Sequence, residues 1–96
     1  KQGIVVKAKV PDTWKETIYV WIWGDGIEDY EHVAKKQGDW YVFAYEGKEL
    51  NIIFKNGEGW TGHPNQTEDI YTTRSVCYIL TQEGEEKAVA TQVDCY

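Results

Sequence analysis

The sequence predicts an all-β fold on three observations. Short stretches rich in β-branched and aromatic residues recur along the chain, and Gly paired with Asp or Asn separates most of them. The 96 residues suit one domain, which we assign to residues 1–96. Several short strands at this spacing are typical of an immunoglobulin-like antiparallel β-sandwich, which is the architecture we expect.

Six strands are predicted, each ending near a turn signal. In chain order they are Gly3–Lys9, Thr17–Trp23, Trp40–Tyr45, Leu50–Lys55, Ser75–Leu80 and Lys87–Val93. In the third, Trp40 alternates with Val42 and Ala44, and this set is predicted to face the core. The segment Glu28–Gln37 (EDYEHVAKKQ) has apolar residues at helical spacing, so a loop and a short helix both remain open there.

The second strand, TIYVWIW, carries the most informative pattern. At the two-residue period of a strand, one face is aliphatic (Ile18, Val20, Ile22) and the other is aromatic (Tyr19, Trp21, Trp23). Leaving a large apolar side chain exposed forfeits about 1.5–3 kcal/mol, so a solvent-facing aromatic face requires a reason. Trp23 adjoins the turn at Gly24 and is predicted to be core or rim.

Composition excludes several classes of partner. A net charge of −6 leaves no basic patch for a phosphate backbone, so no nucleic acid is expected. No run has the length of a membrane span and no signal peptide opens the chain, so membrane insertion is not expected. Because the sequence starts at Lys1, we expect a module excised from a larger secreted protein, extracellular or on a bacterial cell surface. Cys77 and Cys95 are either a disulfide or two unpaired thiols.

Enzymatic and metal-binding patterns are missing. Ser75 is the sole serine and lacks a GxSxG context, while His32 and His63 lack HExxH or CxxC companions. The carboxylates outside the predicted strands are expected in solvated turns: Asp25, Glu28, Asp29, Glu31, Glu68 and Asp69. We therefore predict no catalytic residue, no metal site and no cofactor.

The aromatic face suits a sugar. The axial C–H groups of a pyranose pack against flat rings, and its hydroxyls need donors and acceptors at the ring edges. Candidate rings lie on the second strand and in two polar segments, and candidate polar groups lie near Asn56-Gly57. The predicted ligand-binding set is Tyr19, Trp21, Tyr30 and Trp60 with Lys55, Asn56 and Gln66.

Four motifs carry a family resemblance between Ile4 and Tyr78. IYVWIW, GDWYVF, NIIFKNGEGW and NQTEDI resemble the family 26 carbohydrate-binding modules, the starch-binding modules of bacterial amylases. The resemblance implies a non-catalytic β-sandwich that binds α-1,4-glucans (starch, amylose, maltooligosaccharides, glycogen) and is linked to catalytic or scaffold domains.

The resemblance also implies roles for individual residues. The family's aromatic pair on the early strand matches Tyr19 and Trp21, and the polar contact from the NQT segment matches Gln66. The family's loop Trp, in a WPG motif, is absent here, and Tyr30 is the aromatic that stands in that loop. Trp60 lies in an insertion; the related family 25 modules place a Trp in the corresponding loop, so Trp60 extends the predicted platform.

Two further hypotheses concern the selectivity for the sugar and an alternative function of the chain. Tilted rings suit the natural curve of an α-glucan, whereas a flat β-glucan such as cellulose prefers coplanar rings. The alternative function is an immunoglobulin-like protein-interaction domain that uses the aromatic patch against a neighbouring domain.

Overall fold

The computed structural model describes residues 3–24, 26–60, 62 and 64–95, and only the backbone of residues 27–30. These residues form nine strands and no helix: β1 (Gly3–Lys9), β2 (Ile18–Gly24), β3 (Ile27–Val33), β4 (Lys35–Gln37), β5 (Trp40–Glu46), β6 (Leu50–Asn56), β7 (Ile70–Thr72), β8 (Val76–Thr81) and β9 (Val89–Val93). In this part of the chain, no helical segment has the length and hydropathy that crossing a bilayer requires. The six predicted strands are confirmed, with ends that differ by at most two residues.

The strands form two sheets. The front sheet has the order β3-β2-β6-β7 and the back sheet the order β4-β5-β1-β8-β9. Neighbouring strands are antiparallel except β1 and β8, which run parallel in the middle of the back sheet. The all-β prediction is confirmed, and the expectation of purely antiparallel pairing is corrected by the β1–β8 pair.

The core is built from the faces that the two sheets turn toward each other. The front sheet contributes alternate residues of β2 and β6, and the back sheet contributes alternate residues of β1 and β8; the buried members are Ile4, Val6, Ala8, Ile18, Val20, Ile22, Leu50, Ile52, Phe54, Val76 and Leu80. Each large aliphatic or aromatic side chain buried in this way contributes about 1.5–3 kcal/mol. The burial of the aliphatic face of β2 leaves its aromatic face on the outside of the molecule, as predicted.

The segment Glu28–Gln37 is neither a loop nor a helix. It forms β3 in the front sheet and β4 in the back sheet, and the chain passes between the sheets at the buried Ala34. The Ala34 N–H donates to the Ile18 carbonyl at 2.9 Å. Pairing with β2 overrides the helical spacing. In this pairing the His32 side chain turns inward, and its ring centroid lies 5.1 Å from that of Phe43.

The predicted core face of β5 is wrong. Tyr41, Phe43 and Tyr45 pack against the core, which places Trp40 on the outer face. The register explains this choice, because Tyr41, Phe43 and Tyr45 stand opposite the buried β1 residues Ala8, Val6 and Ile4. Partners in a ladder share a face, so the three rings fill the core and Trp40 remains half-exposed.

Two further features stabilise the sandwich. Trp14, for which no role was predicted, is only 6% exposed and packs into the core, and its N–H donates to the Pro11 carbonyl at 3.0 Å. Cys77 of β8 and Cys95 beyond β9 form a disulfide with a Cα–Cα distance of 5.3 Å. The disulfide settles the choice that the sequence left open and fastens the chain after β9 to β8.

Candidate functional site

The outer face of the front sheet is a grid of three rows, set by strand register. The first row runs Val33, Tyr19, Lys55 and Gln66; the second runs Glu31, Trp21 and Ile53; the third runs Trp23, Asn51 and Tyr71. Rings from one strand, β2, therefore stand in every row. Within a row, neighbouring strands lie about 4.8 Å apart, and successive rows are about 6.8 Å apart.

An open depression lies on this outer face. It has a volume of about 350 Å³ and is lined by Trp21, Trp23, Ile53, Trp60 and Asp69. Ligand sites commonly measure about 300–1,000 Å³, so the depression is at the small end of that range. Three indoles and one carboxylate thus surround a space open to solvent.

Trp60 comes from the segment after β6 and lies against Trp21. The two ring centroids are 5.4 Å apart and the ring planes meet at 63°, an edge-to-face arrangement. Trp60 is 52% exposed, whereas Ile53 beneath the two rings is buried. The pair forms a tilted wall of the depression, with one indole fixed on a strand and the other on a loop.

An ion pair between a buried lysine and a partly exposed glutamate lies under Trp60. Lys55 is 1% exposed, and its Nζ pairs with the Oε2 of Glu31. The same Nζ is 4.4 Å from the centroid of the Trp60 ring, so the ammonium makes a cation–π contact. Glu31 Oε2 also accepts the Gly59 N–H at 3.0 Å, one residue before Trp60.

The environment of Glu31 lowers its pKa. Partial burial by itself raises the pKa of this carboxyl, but the hydrogen bonds from Lys55 and Gly59 and the positive charge of Lys55 together outweigh it. The pKa of Glu31 therefore lies below the usual 4.5. Glu31 is ionised at neutral pH and neutralises the buried ammonium.

Gly59 is required at its position. Its φ is +77°, a left-handed conformation that a side chain disfavours. This conformation turns the Gly59 N–H toward Glu31 and the next residue, Trp60, back over the sheet.

The predicted rings are placed as follows. Tyr19 and Trp21 lie on the outer face, half-exposed as predicted, but the depression adjoins Trp21 with Trp23 rather than with Tyr19. Trp23 is therefore a rim residue, one of the two positions predicted for it. Tyr30 is paired with Ile22 in β3, and its side chain lies outside the described part of the structure, so its ligand role stays a prediction. His63 and Asp25 are likewise outside the described residues.

The predicted polar residues divide into one that fits and two that do not. Gln66 is half-buried beside Lys55 on the outer face, and its ligand role stays a prediction. Lys55 is buried beneath a ring rather than exposed at its edge, which corrects its assignment as a direct contact. Asn56 is also corrected: its Oδ1 accepts the Glu16 N–H at 2.9 Å and its Nδ2 donates to Asn65 Oδ1 at 3.2 Å. Its amide ties two loops together.

The sequence interpretation missed two acidic residues of the site. Glu31 was expected in a solvated turn but is the anionic partner of Lys55, and Asp69 was expected likewise but lines the depression. The lysine within the apolar strand NIIFKN gives a conditional signal for Glu31, since that lysine needs an anion nearby only if it is buried. No signal of this kind marked Asp69.

Two further exposed residues, Val33 and Tyr71, extend the outer face at its edges. Val33 is 54% exposed at one end of the first row, and Tyr71 is 57% exposed at one end of the third. The described rings of the outer face therefore stand on β2 and β7, with Trp60 added by the segment after β6.

The described residues of this face offer stacking surface and hydrogen-bond acceptors. Among the described residues, no group of three or more His, Cys, Asp and Glu side chains could hold a metal ion. Flat indole faces offer stacking surface, and the Asp69 carboxylate offers hydrogen-bond acceptors beside it. Comparisons with protein-family models, with curated proteins and with solved structures find no match for this chain.

Proposed function

We propose that this chain is a non-catalytic carbohydrate-binding module for α-1,4-glucans, of the kind represented by the family 26 starch-binding modules. The observation that carries the proposal is the tilted pair of indoles, Trp21 and Trp60, beside an open depression. Starch, amylose and maltooligosaccharides are the proposed ligands, with glycogen as a further member of the class.

The angle between the rings favours a curved glucan. Adjacent glucose units of an α-1,4 chain face different directions, so two rings at 63° can each meet the apolar face of one unit. In a flat β-1,4 chain the sugar faces are nearly coplanar, and only one of the two rings can stack on such a chain. Selectivity for α-glucans then follows from ring geometry.

Polar groups around the depression complete the recognition of hydroxyls. Asp69 lines the depression and supplies acceptors, and Gln66, in the first row, supplies both an acceptor and a donor. The proposed ligand-binding residues are therefore Trp21, Trp23, Trp60, Asp69 and Gln66, with Tyr19 extending the surface.

The affinity expected of such a site is modest. Each stacked ring contributes about 1–2 kcal/mol and each hydrogen bond about 1 kcal/mol. After the cost of ordering the sugar, this gives dissociation constants of roughly millimolar to tens of micromolar. A weak module of this type functions by tethering, because it raises the local concentration of an attached catalytic domain at the polysaccharide.

The architecture is compatible with an immunoglobulin-like sandwich in a secreted protein. Two packed sheets and the Cys77–Cys95 disulfide support this proposal, since disulfides persist in oxidising compartments. We propose a location outside the cell or on a bacterial surface, within a parent chain that also carries catalytic or scaffold domains.

The proposal is tested by adsorption to granular starch, with cellulose and xylan in parallel. We expect wild type to be retained on starch alone, and Trp21→Ala and Gln66→Ala to be retained less. Equal retention on cellulose and starch contradicts the selectivity argument, and no retention on starch contradicts the function.

A matched control is available on the other sheet. Trp40 is a half-exposed indole on the outer face of the back sheet, outside the depression. Trp40→Ala removes the same amount of ring and is expected to leave starch retention unchanged. Circular dichroism of each variant confirms that it is folded.

The second candidate, a protein-interaction domain, is favoured by the exposed Val33 and Tyr71 at the edges of the face. A partner domain that covers the whole face would bury both residues, whereas a sugar in the depression leaves them exposed. Loss of interdomain contact in Trp21→Ala, with starch retention unaltered, favours this alternative.

A further inference from the structure

We infer that Glu31 and Lys55 are positioning residues for Trp60: their ion pair holds the loop indole in its binding orientation before any ligand arrives. This inference rests on the proposed function for its effect on binding, although the positioning itself can be measured without ligand. Neither residue touches the sugar; both act through the ring.

The first step is where the ion pair lies. Lys55 is level with Tyr19 on one side of β2, and Glu31 is level with Trp21 on the other side. To meet, the two side chains must cross β2 between Tyr19 and Trp21. The charges therefore occupy the gap between the two outward rings of that strand, under the position that Trp60 covers.

The second step is how the pair reaches Trp60. The ring lies over the ammonium of Lys55 at 4.4 Å, and the backbone N–H of the preceding residue, Gly59, is held by Glu31 at 3.0 Å. One contact fixes the plane of the ring and the other fixes the loop that carries it. Each partner of the ion pair thus restrains Trp60 by a different route.

The third step is which side of the indole is left open. Lys55 is almost completely buried while Trp60 is about half-exposed, so the ring face over the ammonium is the inner one. The exposed half of the ring is available to a ligand, and Trp21 lies beside the ring in an edge-to-face arrangement. The ion pair therefore orients the accessible face toward solvent beside the depression.

A ring held in this way loses little freedom when a ligand stacks on it. Immobilising a mobile side chain on binding carries an entropic penalty that weakens affinity by roughly two- to tenfold. The ion pair removes that penalty in advance, because the orientation is already fixed in the free protein. Loss of the pair is expected to weaken α-glucan binding by this factor with the ring itself still present.

The test begins with a spectroscopic signature that needs no ligand. Two indoles whose centroids are 5.4 Å apart couple their electronic transitions and give an exciton couplet in circular dichroism. The circular dichroism spectrum of Trp60→Ala gives the signal expected when the couplet is absent. We expect the couplet of Glu31→Gln to fall toward that signal, because the charge that holds Lys55 and Gly59 is gone.

The second measurement is titration with maltoheptaose, a soluble α-1,4-glucan. Glu31→Gln is expected to weaken binding roughly two- to tenfold, and to have no further effect when Trp60 is already Ala. Additive effects of the two substitutions overturn the inference, because they mean that Glu31 acts independently of the ring.

A second variant keeps the test valid if Glu31→Gln alone is poorly folded. Glu31→Gln combined with Lys55→Met leaves no unpaired buried charge, and such replacements are often tolerated. We expect this double variant to fold but to lack the couplet. A full couplet and wild-type affinity in it show that the charges serve stability alone, which overturns the inference.

The matched control is the comparable contact on the back sheet. Lys9 Nζ lies 4.8 Å from the centroid of the Trp40 ring, so Lys9→Met removes a similar contact away from the site. Its couplet and its maltoheptaose affinity are expected to equal those of wild type. If wild type binds no α-glucan, the proposed function fails, and the couplets of the four variants still decide whether the ion pair positions Trp60.

Discussion

Each sheet carries a tryptophan over a lysine on its outer face, and the two pairs have different environments. On the front sheet, Trp60 lies over the buried Lys55, which is paired with Glu31. On the back sheet, Trp40 lies over Lys9, which is half-exposed. The distances are similar, 4.4 Å and 4.8 Å, so the contact itself does not distinguish the two.

The difference lies in what surrounds each contact. Trp60 is joined edge-to-face to a second indole and borders an open depression. Trp40 lies on a face that also carries Lys35 and Gln37 of the edge strand β4, both exposed. A ring over a lysine is ordinary surface packing on the back sheet. On the front sheet the same contact is part of the proposed site, because burial and a second ring fix its geometry.

The largest expected effect is on stability, and it differs between an indole in the core and an indole on the surface. Trp14→Ala should lower the free energy of unfolding by about 3–5 kcal/mol, because it opens a cavity in the core. Trp60→Ala should lower it by only about 1 kcal/mol, since half of its area is already in water. Urea unfolding of the two variants measures the difference, and a Trp60→Ala cost as large as that of Trp14→Ala would show that Trp60 is structural.

The next largest effect on stability is expected from the disulfide of the back sheet. Replacing Cys77 and Cys95 with Ala opens a loop with a sequence separation of 18 residues and should cost about 3 kcal/mol of stability. Glucan affinity of the folded variant should not change, because neither cysteine lines the depression. A parallel loss of binding would mean that the two sheets are not independent in function.

A pH effect is expected from the front sheet. The pKa of Glu31 is depressed in the folded state, so below its usual 4.5 the unfolded chain binds more protons than the folded one. The contribution of Glu31 to stability is therefore complete above that value and declines as the pH falls through the folded-state pKa. Urea unfolding at about pH 6 and about pH 3 should show the gap between wild type and Glu31→Gln closing. A gap independent of pH contradicts the ion pair.

The smallest effect concerns the loop that carries Trp60. Gly59→Ala places a side chain at φ +77° in open space, at a backbone cost of about 1–2 kcal/mol. Gly84→Ala is the matched control, at φ +60° with equally open space on a distant turn. Both should lose similar stability, but only Gly59→Ala should also weaken glucan binding. Equal affinities in the two variants would place the loop outside the site.

Much of the fold follows from local pattern. The alternation in β2 predicted which residues are buried, and turn residues marked the ends of six strands. The segment that became β3 and β4 could not be predicted, because its helical spacing is overridden by pairing with β2 and β5. The core face of β5 was also predicted wrongly. Both faces of this strand carry apolar residues, and only its register with β1 decides which face is buried.

The site was predictable in its rings and less so in its polar groups. Exposed aromatics on β2 are visible from a period of two, and Trp60 stands out in a polar loop. Whether a lysine such as Lys55 is exposed or buried depends on how the later loop folds over it, which the strand pattern does not encode. The same holds for Asp69, which reaches the depression only because β7 pairs with β6.

The most direct test of the account is a titration of tryptophan fluorescence with maltoheptaose in wild type, Trp21→Ala and Trp40→Ala. The account predicts binding by wild type at roughly millimolar to tens of micromolar, a loss of about tenfold or more in Trp21→Ala, and no change in Trp40→Ala. Saturating maltoheptaose without a response from folded wild type, or equal losses in the two variants, would contradict it.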